Sequence, residues 1–183
     1  CAKGAVVLTV LMVTVLAGFI FWLLILMNEP PDNRGAHLWK TLSIWFVLVA
    51  ATWAIIYGLL RVPAMTKDGR VLAVVVFILV AVLGGALVHL NTYPGASNRA
   101  LSIGVGGGFG VIMLLNVWGV IWPAQKRIIG WTKENAEKGT AVPAESAVLG
   151  RRAFLASRTN AWLSIPMLFF MAAASHYPMF TGG

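Results

Sequence analysis

Hydrophobic residues fall into five long runs along the chain: Ala5–Met27, Leu38–Leu60, Val71–Leu90, Leu101–Pro123 and Ala161–Phe180. Each is long enough to cross the roughly 30 Å hydrocarbon core of a bilayer as a helix of about 20 residues. Many of these positions are Val, Ile, Thr and Phe, which favour strands in water. In lipid each segment must satisfy its own backbone N–H and C=O groups, so the pattern predicts helices. Turn-forming clusters separate the runs at Asn28-Glu29-Pro30-Pro31-Asp32-Asn33, Pro63 to Gly69 and Asn91-Thr92-Tyr93-Pro94-Gly95. The expected fold is all-α, a bundle of five transmembrane helices forming a single domain over residues 1–183.

Between the fourth and fifth runs lies the only sizeable polar stretch, Ala124 to Asn160. Pro143 suits the first position of a helix and Glu145 its first turn. Val148, Leu149, Phe154 and Leu155 then alternate with Arg151, Arg152 and Arg158. This mixture predicts a short amphipathic helix lying on the membrane surface. It reads either as a solvated connector or as a docking surface for a partner subunit.

Composition agrees with a membrane protein. Hydrophobic residues make up 59% of the chain and charged residues 11%, whereas a soluble domain carries about a quarter charged. Of the fourteen basic residues, eleven fall before the first run or in the second and fourth connections. The positive-inside rule then places the N-terminus and the fourth connection in the cytoplasm and the C-terminus in the periplasm. The net charge of +8 comes from residues flanking the runs. It therefore points to anionic lipid headgroups and not to nucleic acid. Cys1 admits a lipidated N-terminus, but that would reverse the charge rule, and a single cysteine forms no intrachain disulfide.

Chemistry concentrates in three histidines: His37 before the second run, His89 near the end of the third, and His176 within the fifth. Under the expected topology all three lie toward the outer face. One turn beneath His89 sit Gly85 and Ala86, and beneath His176 sit Ala172 and Ala173, so each imidazole overlooks a shallow notch. Two neutral imidazoles on facing helices would suit haem iron as an axial pair. Structural interfacial histidines and contacts to a quinone or lipid headgroup remain alternatives. A two-haem centre is excluded, since it needs four axial histidines.

The fourth run carries Gly104, Gly106, Gly107, Gly108 and Gly110, spaced as small-xxx-small pairs that admit another helix backbone. These glycines serve helix packing or form a smooth wall for a planar cofactor. Asn116 lies in hydrocarbon, where its amide requires a partner on another helix or on a ligand. Arg99 and Asn160 are expected at span starts, where snorkelling and capping account for them.

At these positions the chain resembles the membrane domain of the bacterial urate oxidase (urate hydroxylase) family. The similarity is carried by Arg99-Ala100, Met113, Asn116-Val117, Pro123, Gln125-Lys126, Asn160, Pro166, Met171 and Ser175-His176-Tyr177-Pro178. It covers residues 99–180, and the first three runs are only loosely similar. The family pattern has a histidine where this chain has Gly104, and an asparagine before the closing histidine that is missing here, with Ala174 preceding Ser175. Family enzymes also carry a cytochrome c domain, whereas this sequence contains no Cys-x-x-Cys-His motif.

The resemblance implies a bacterial inner-membrane protein. The first functional expectation is an accessory subunit of a larger redox or energy-converting complex, respiratory or photosynthetic, with other membrane subunits as partners. It would hold at most one haem b, with His89 and His176 on the iron and Gly85, Ala172 and Asn116 lining the cofactor. The second is a urate- or purine-oxidising enzyme that passes electrons to a separate cytochrome c. The third is an assembly protein with no cofactor. Catalytic triads, paired carboxylates, P-loops and zinc patterns are absent from the sequence. No run contains Asp or Glu, which counts against a proton or ion pathway.

Overall fold

In the computed structural model, described over residues 31–94 and 96–180, the chain is helical almost throughout. Helix α1 spans Pro31–Leu59, α2 is a single turn at Pro63–Lys67, and α3 spans Gly69–Asn91. Helix α4 spans Asn98–Asn116 and passes through a π-helical segment, Val117–Ile121, into α5, Trp122–Lys138. Helix α6, Glu145–His176, completes the bundle. The first hydrophobic run lies outside the described residues.

Three helical stretches are long and apolar enough to cross a membrane: Trp39–Leu59, Gly69–Asn91 and the continuous run Asn98–Lys138. The fifth expected span lies in α6, which is 32 residues long. Its last turns are diluted by Thr159, Asn160, Ser164, Pro166, Ser175 and His176, so they fall short of that hydrophobicity.

Helix α4 is the centre of the bundle. Half of its most apolar window is buried, against 28% for α1 and α3. Leu42, Trp45, Val49, Ile56 and Leu60 recur at helical spacing and bury one face of α1. Leu72, Val76, Val80, Leu83 and Leu87 do the same on α3. Both helices pack against one side of α4, and α6 packs along the other. The outer faces stay apolar, with Phe77, Ile78, Val82, Trp162, Ile165 and Leu168 all exposed, as a lipid-facing surface requires.

The glycines of α4 set these contacts. A methyl group on Gly106 would lie 3.1 Å from the Met167 carbonyl oxygen and 3.2 Å from Cβ of Phe170. On Gly108 it would lie 3.2 Å from Val49 of α1 and 3.4 Å from Leu87 of α3. One glycine thus admits α6, and the other admits α1 and α3. At Gly104 the same methyl meets nothing within 4 Å, and the residue contributes its carbonyl oxygen instead, accepting from Trp45 Nε1 at 2.7 Å.

The fourth connection departs from expectation. The chain does not leave its helix at Pro123 but continues to Lys138, where Gly139 ends it in a left-handed conformation, φ 67°. Proline has no N–H to offer the preceding turn and its ring crowds that turn's carbonyl. The π-helical segment just before it widens the helix, with the Trp122 N–H reaching back to the Val117 carbonyl. A helix does begin two residues after Pro143, yet it is no separate surface helix, since it runs unbroken through Asn160 to His176. The connection is therefore a helical hairpin projecting from the bundle. Its lower part is tied by Arg151 Nε donating to the Thr66 carbonyl at 3.0 Å.

Candidate functional site

Two polar places interrupt the apolar bundle. The first lies at the end where α3 finishes, α4 begins and α6 finishes. Ser97 caps α4 by accepting from the Ala100 N–H at 3.1 Å. The adjacent Asn98 joins α4 to the end of α6. Its Nδ2 donates to the carbonyls of Ala173 at 3.0 Å and Tyr177 at 3.3 Å. Its Oδ1 accepts from the backbone N–H groups of Met179 and Phe180 at 2.8 and 3.0 Å. One carboxamide thus fixes the chain on both sides of His176 and Tyr177.

His89 and His176 share this end of the bundle. His89 lies in the last turn of α3 and His176 is the last residue of α6, and both are exposed. Gly85, one turn beneath His89, is exposed and a methyl group there would meet nothing within 4 Å. Ala172 beneath His176 is also exposed, while Ala173 is buried. Both notches are therefore open to the outside of the bundle. The His176 ring meets Tyr177 edge-on, centroids 6.4 Å apart. Nearby, Asn91 is buried with an Oδ1 that has no hydrogen-bond partner among the described residues. His37 belongs to α1, and its side chain lies outside the described residues.

As a cofactor seat, this end offers one wall only. A planar group could stand in either notch with its ring against Gly85 or Ala172, but the described residues do not enclose it. Among the described residues no group of three or more His, Cys, Asp or Glu could hold a metal ion. A haem iron needs only axial ligands, so the imidazoles suit it in kind, provided a neighbouring molecule or lipid supplies the second wall.

The second polar place is deep in the bundle. Asn116 is fully enclosed at the end of α4, and its Nδ2 donates to Oδ1 of Asn160 on α6 at 2.9 Å. Asn160 Nδ2 in turn donates to the Met113 carbonyl at 2.9 Å. Asn160 is thus no helix cap, because α6 begins fifteen residues earlier at Glu145. Among the described residues the Asn116 Oδ1 has no partner, nor does the buried Nε1 of Trp53. The Trp53 ring lies against the π-helical segment, where a methyl on Gly119 would fall 2.7 Å from its Cζ2. The glycine is required there by the close approach of the indole.

Of the residues singled out from the sequence, His89, His176, Gly85 and Ala172 gather at one end, and Asn116 lies apart at the other end of α4. Sequence reasoning missed Asn98, whose place beside the Ser97 cap hides its role, and it missed the partnership of Asn160.

The deciding comparison is with family models. The model of the urate oxidase N-terminal domain matches residues 6–183. The chain belongs to that family. The match takes in the early helices as well as the stretch from Arg99, so the family's membership extends well beyond the motif-bearing half. No curated protein and no solved structure shows a significant match.

Proposed function

We propose that this member of the urate oxidase N-terminal family is an accessory membrane subunit of a larger redox assembly, with one haem b held through His89 and His176 at the outer face. The observation that carries this reading is the pair of imidazoles standing above open notches on the outside of the bundle. The described residues do not enclose a planar group there, so a neighbouring subunit or lipid would supply the second wall of the haem site. Bound haem would supply one-electron transfer. The chain's own part would be to ligate the iron with neutral nitrogen, to offer Gly85 or Ala172 as a flat wall, and to hold the His176 segment in place through Asn98. Electrons would leave through a cytochrome c outside residues 1–183. The basic connections would face the cytoplasm of a bacterial inner membrane, and the histidine end would face outward.

Family membership favours a second reading, oxidation of urate or a related purine.

The protein purified in mild detergent, with its neighbours still bound, decides between them. A reduced-minus-oxidised spectrum with a haem Soret shift, lost in both His89→Ala and His176→Ala, supports the haem assignment. A flat spectrum from intact complex overturns it and leaves an assembly role. Reduction of the haem on adding urate moves the chain to the enzyme reading. Isolation as an active monomer without other subunits contradicts the accessory role.

A further inference from the structure

The opposite end of the bundle holds a cavity of about 260 Å³ between α1, the π-helical segment, α5 and the start of α6. Its polar lining is Tyr57, Arg61, Arg127, Glu145 and Arg152. Three arginines and one glutamate give the lining a surplus of positive charge. Glu145 offsets one of the three: Arg127 and Glu145 are 3.6 Å apart, with side chains 65% and 56% exposed, so water screens the pair.

The other two arginines have no carboxylate among the described residues. Arg61 is held in place by Tyr57, donating to its hydroxyl and lying 4.1 Å over its ring. Arg152 is half-buried and has neither a hydrogen bond nor an ion pair among the described residues. A partly desolvated guanidinium without a partner favours an anion, and its planar fork matches phosphate oxygens. The remaining lining includes Leu60, Val120 and Leu149. These lie where the apolar part of α1 ends and the hairpin begins, at the level of a membrane boundary. A soluble anion would gain nothing from that wall, whereas a lipid glycerol and upper acyl chain would.

We propose that this cavity binds a phosphate group, supplied by the headgroup of an anionic lipid, as a specific site. Basic pockets between membrane helices recognise such headgroups by charge and depth together. The inference does not depend on the haem reading, which concerns the other end of the bundle.

The test uses the full chain, delipidated in mild detergent, with bound lipid counted by native mass spectrometry. Phosphatidylglycerol should be retained at one per chain and at least about tenfold more tightly than phosphatidylcholine, as a charge-assisted contact requires. Arg152→Gln and Arg61→Gln should each lose most of that preference, Arg152→Lys should keep much of it, and Lys138→Gln, outside the cavity, should change nothing. Circular dichroism of each variant separates lost binding from lost folding. Equal retention of the two lipids, or full retention by both glutamine variants, overturns the site. Saturable protection from thermal unfolding by inorganic phosphate, with no lipid preference, overturns the lipid source and assigns a soluble phosphate.

Discussion

At Asn116 the bundle encloses a whole carboxamide between two helices and satisfies only part of it. The Nδ2 has Asn160, while the Oδ1 has no partner among the described residues. Hydrogen bonds between membrane helices contribute on average about 0.6 kcal/mol, but leaving a buried polar group unmatched costs about 1–3 kcal/mol. The second effect should dominate. Asn160→Ala strands the Asn116 amide completely and is expected to lower stability by about 1–3 kcal/mol in mixed-micelle unfolding. Replacing both residues by leucine removes the stranded groups, so the double variant should lose clearly less than the sum of the two single leucine variants. Strict additivity would show that the pair is not coupled. That Asn116 needs a partner is legible in the sequence, because an amide inside an apolar run has no water to turn to. Its partner is not legible. Asn160 lies where a span begins on hydropathy alone, and only the continuous helix reveals that it sits at the depth of Asn116. Asn98 is hidden in the same way, since the neighbouring serine already accounts for a helix start.

At the scale of elements, the glycines divide α4 into faces with different tolerances. Gly106 faces α6 at backbone distance, whereas Gly104 faces open space. Overpacking a tight contact costs about 1–3 kcal/mol, while glycine within a helix is about 0.5–1 kcal/mol less favourable than alanine. Gly106→Ala should therefore destabilise the α4–α6 pair, and Gly104→Ala should be neutral or mildly stabilising. Thermal unfolding in one detergent compares the two directly, and equal losses would remove glycine packing as the organiser of the bundle. The small-residue spacing announces close approach, but it does not say which helix each glycine receives. Nor does it announce the π-helical segment. That segment arises from the conflict between Pro123 and a helix that continues past it, and hydropathy cannot see a helix that outlasts its apolar stretch. The same continuity replaces the expected surface helix with a projecting hairpin, since no proline stands between Glu145 and Asn160 and Gly150 alone does not end the helix.

For the whole molecule, the distribution of charge and the position of the histidines make one claim about sidedness. Helix α6 and the run from α4 to α5 extend about 48 and 60 Å at 1.5 Å per residue, from 32 and 41 residues. Both exceed the roughly 30 Å hydrocarbon core. The excess lies at the end bearing Lys126, Arg127, Lys133, Lys138, Arg151 and Arg152, so the hairpin projects on the side that carries most of the positive charge. Translocating that many basic residues is unfavourable, which predicts a cytoplasmic hairpin. The link at Gly139–Ala144 and the segment after His176 should then lie on opposite sides of the membrane. In a background with Cys1 replaced by Ser, Thr140→Cys should resist a membrane-impermeant thiol reagent in intact cells and react after lysis. Met179→Cys should react in both. Should the hairpin cysteine be labelled from outside, the basic cavity would face the periplasm. The exposed imidazoles would then face the cytoplasm, where a periplasmic electron acceptor could not approach them. The sidedness measurement therefore constrains the haem proposal before any spectrum is taken.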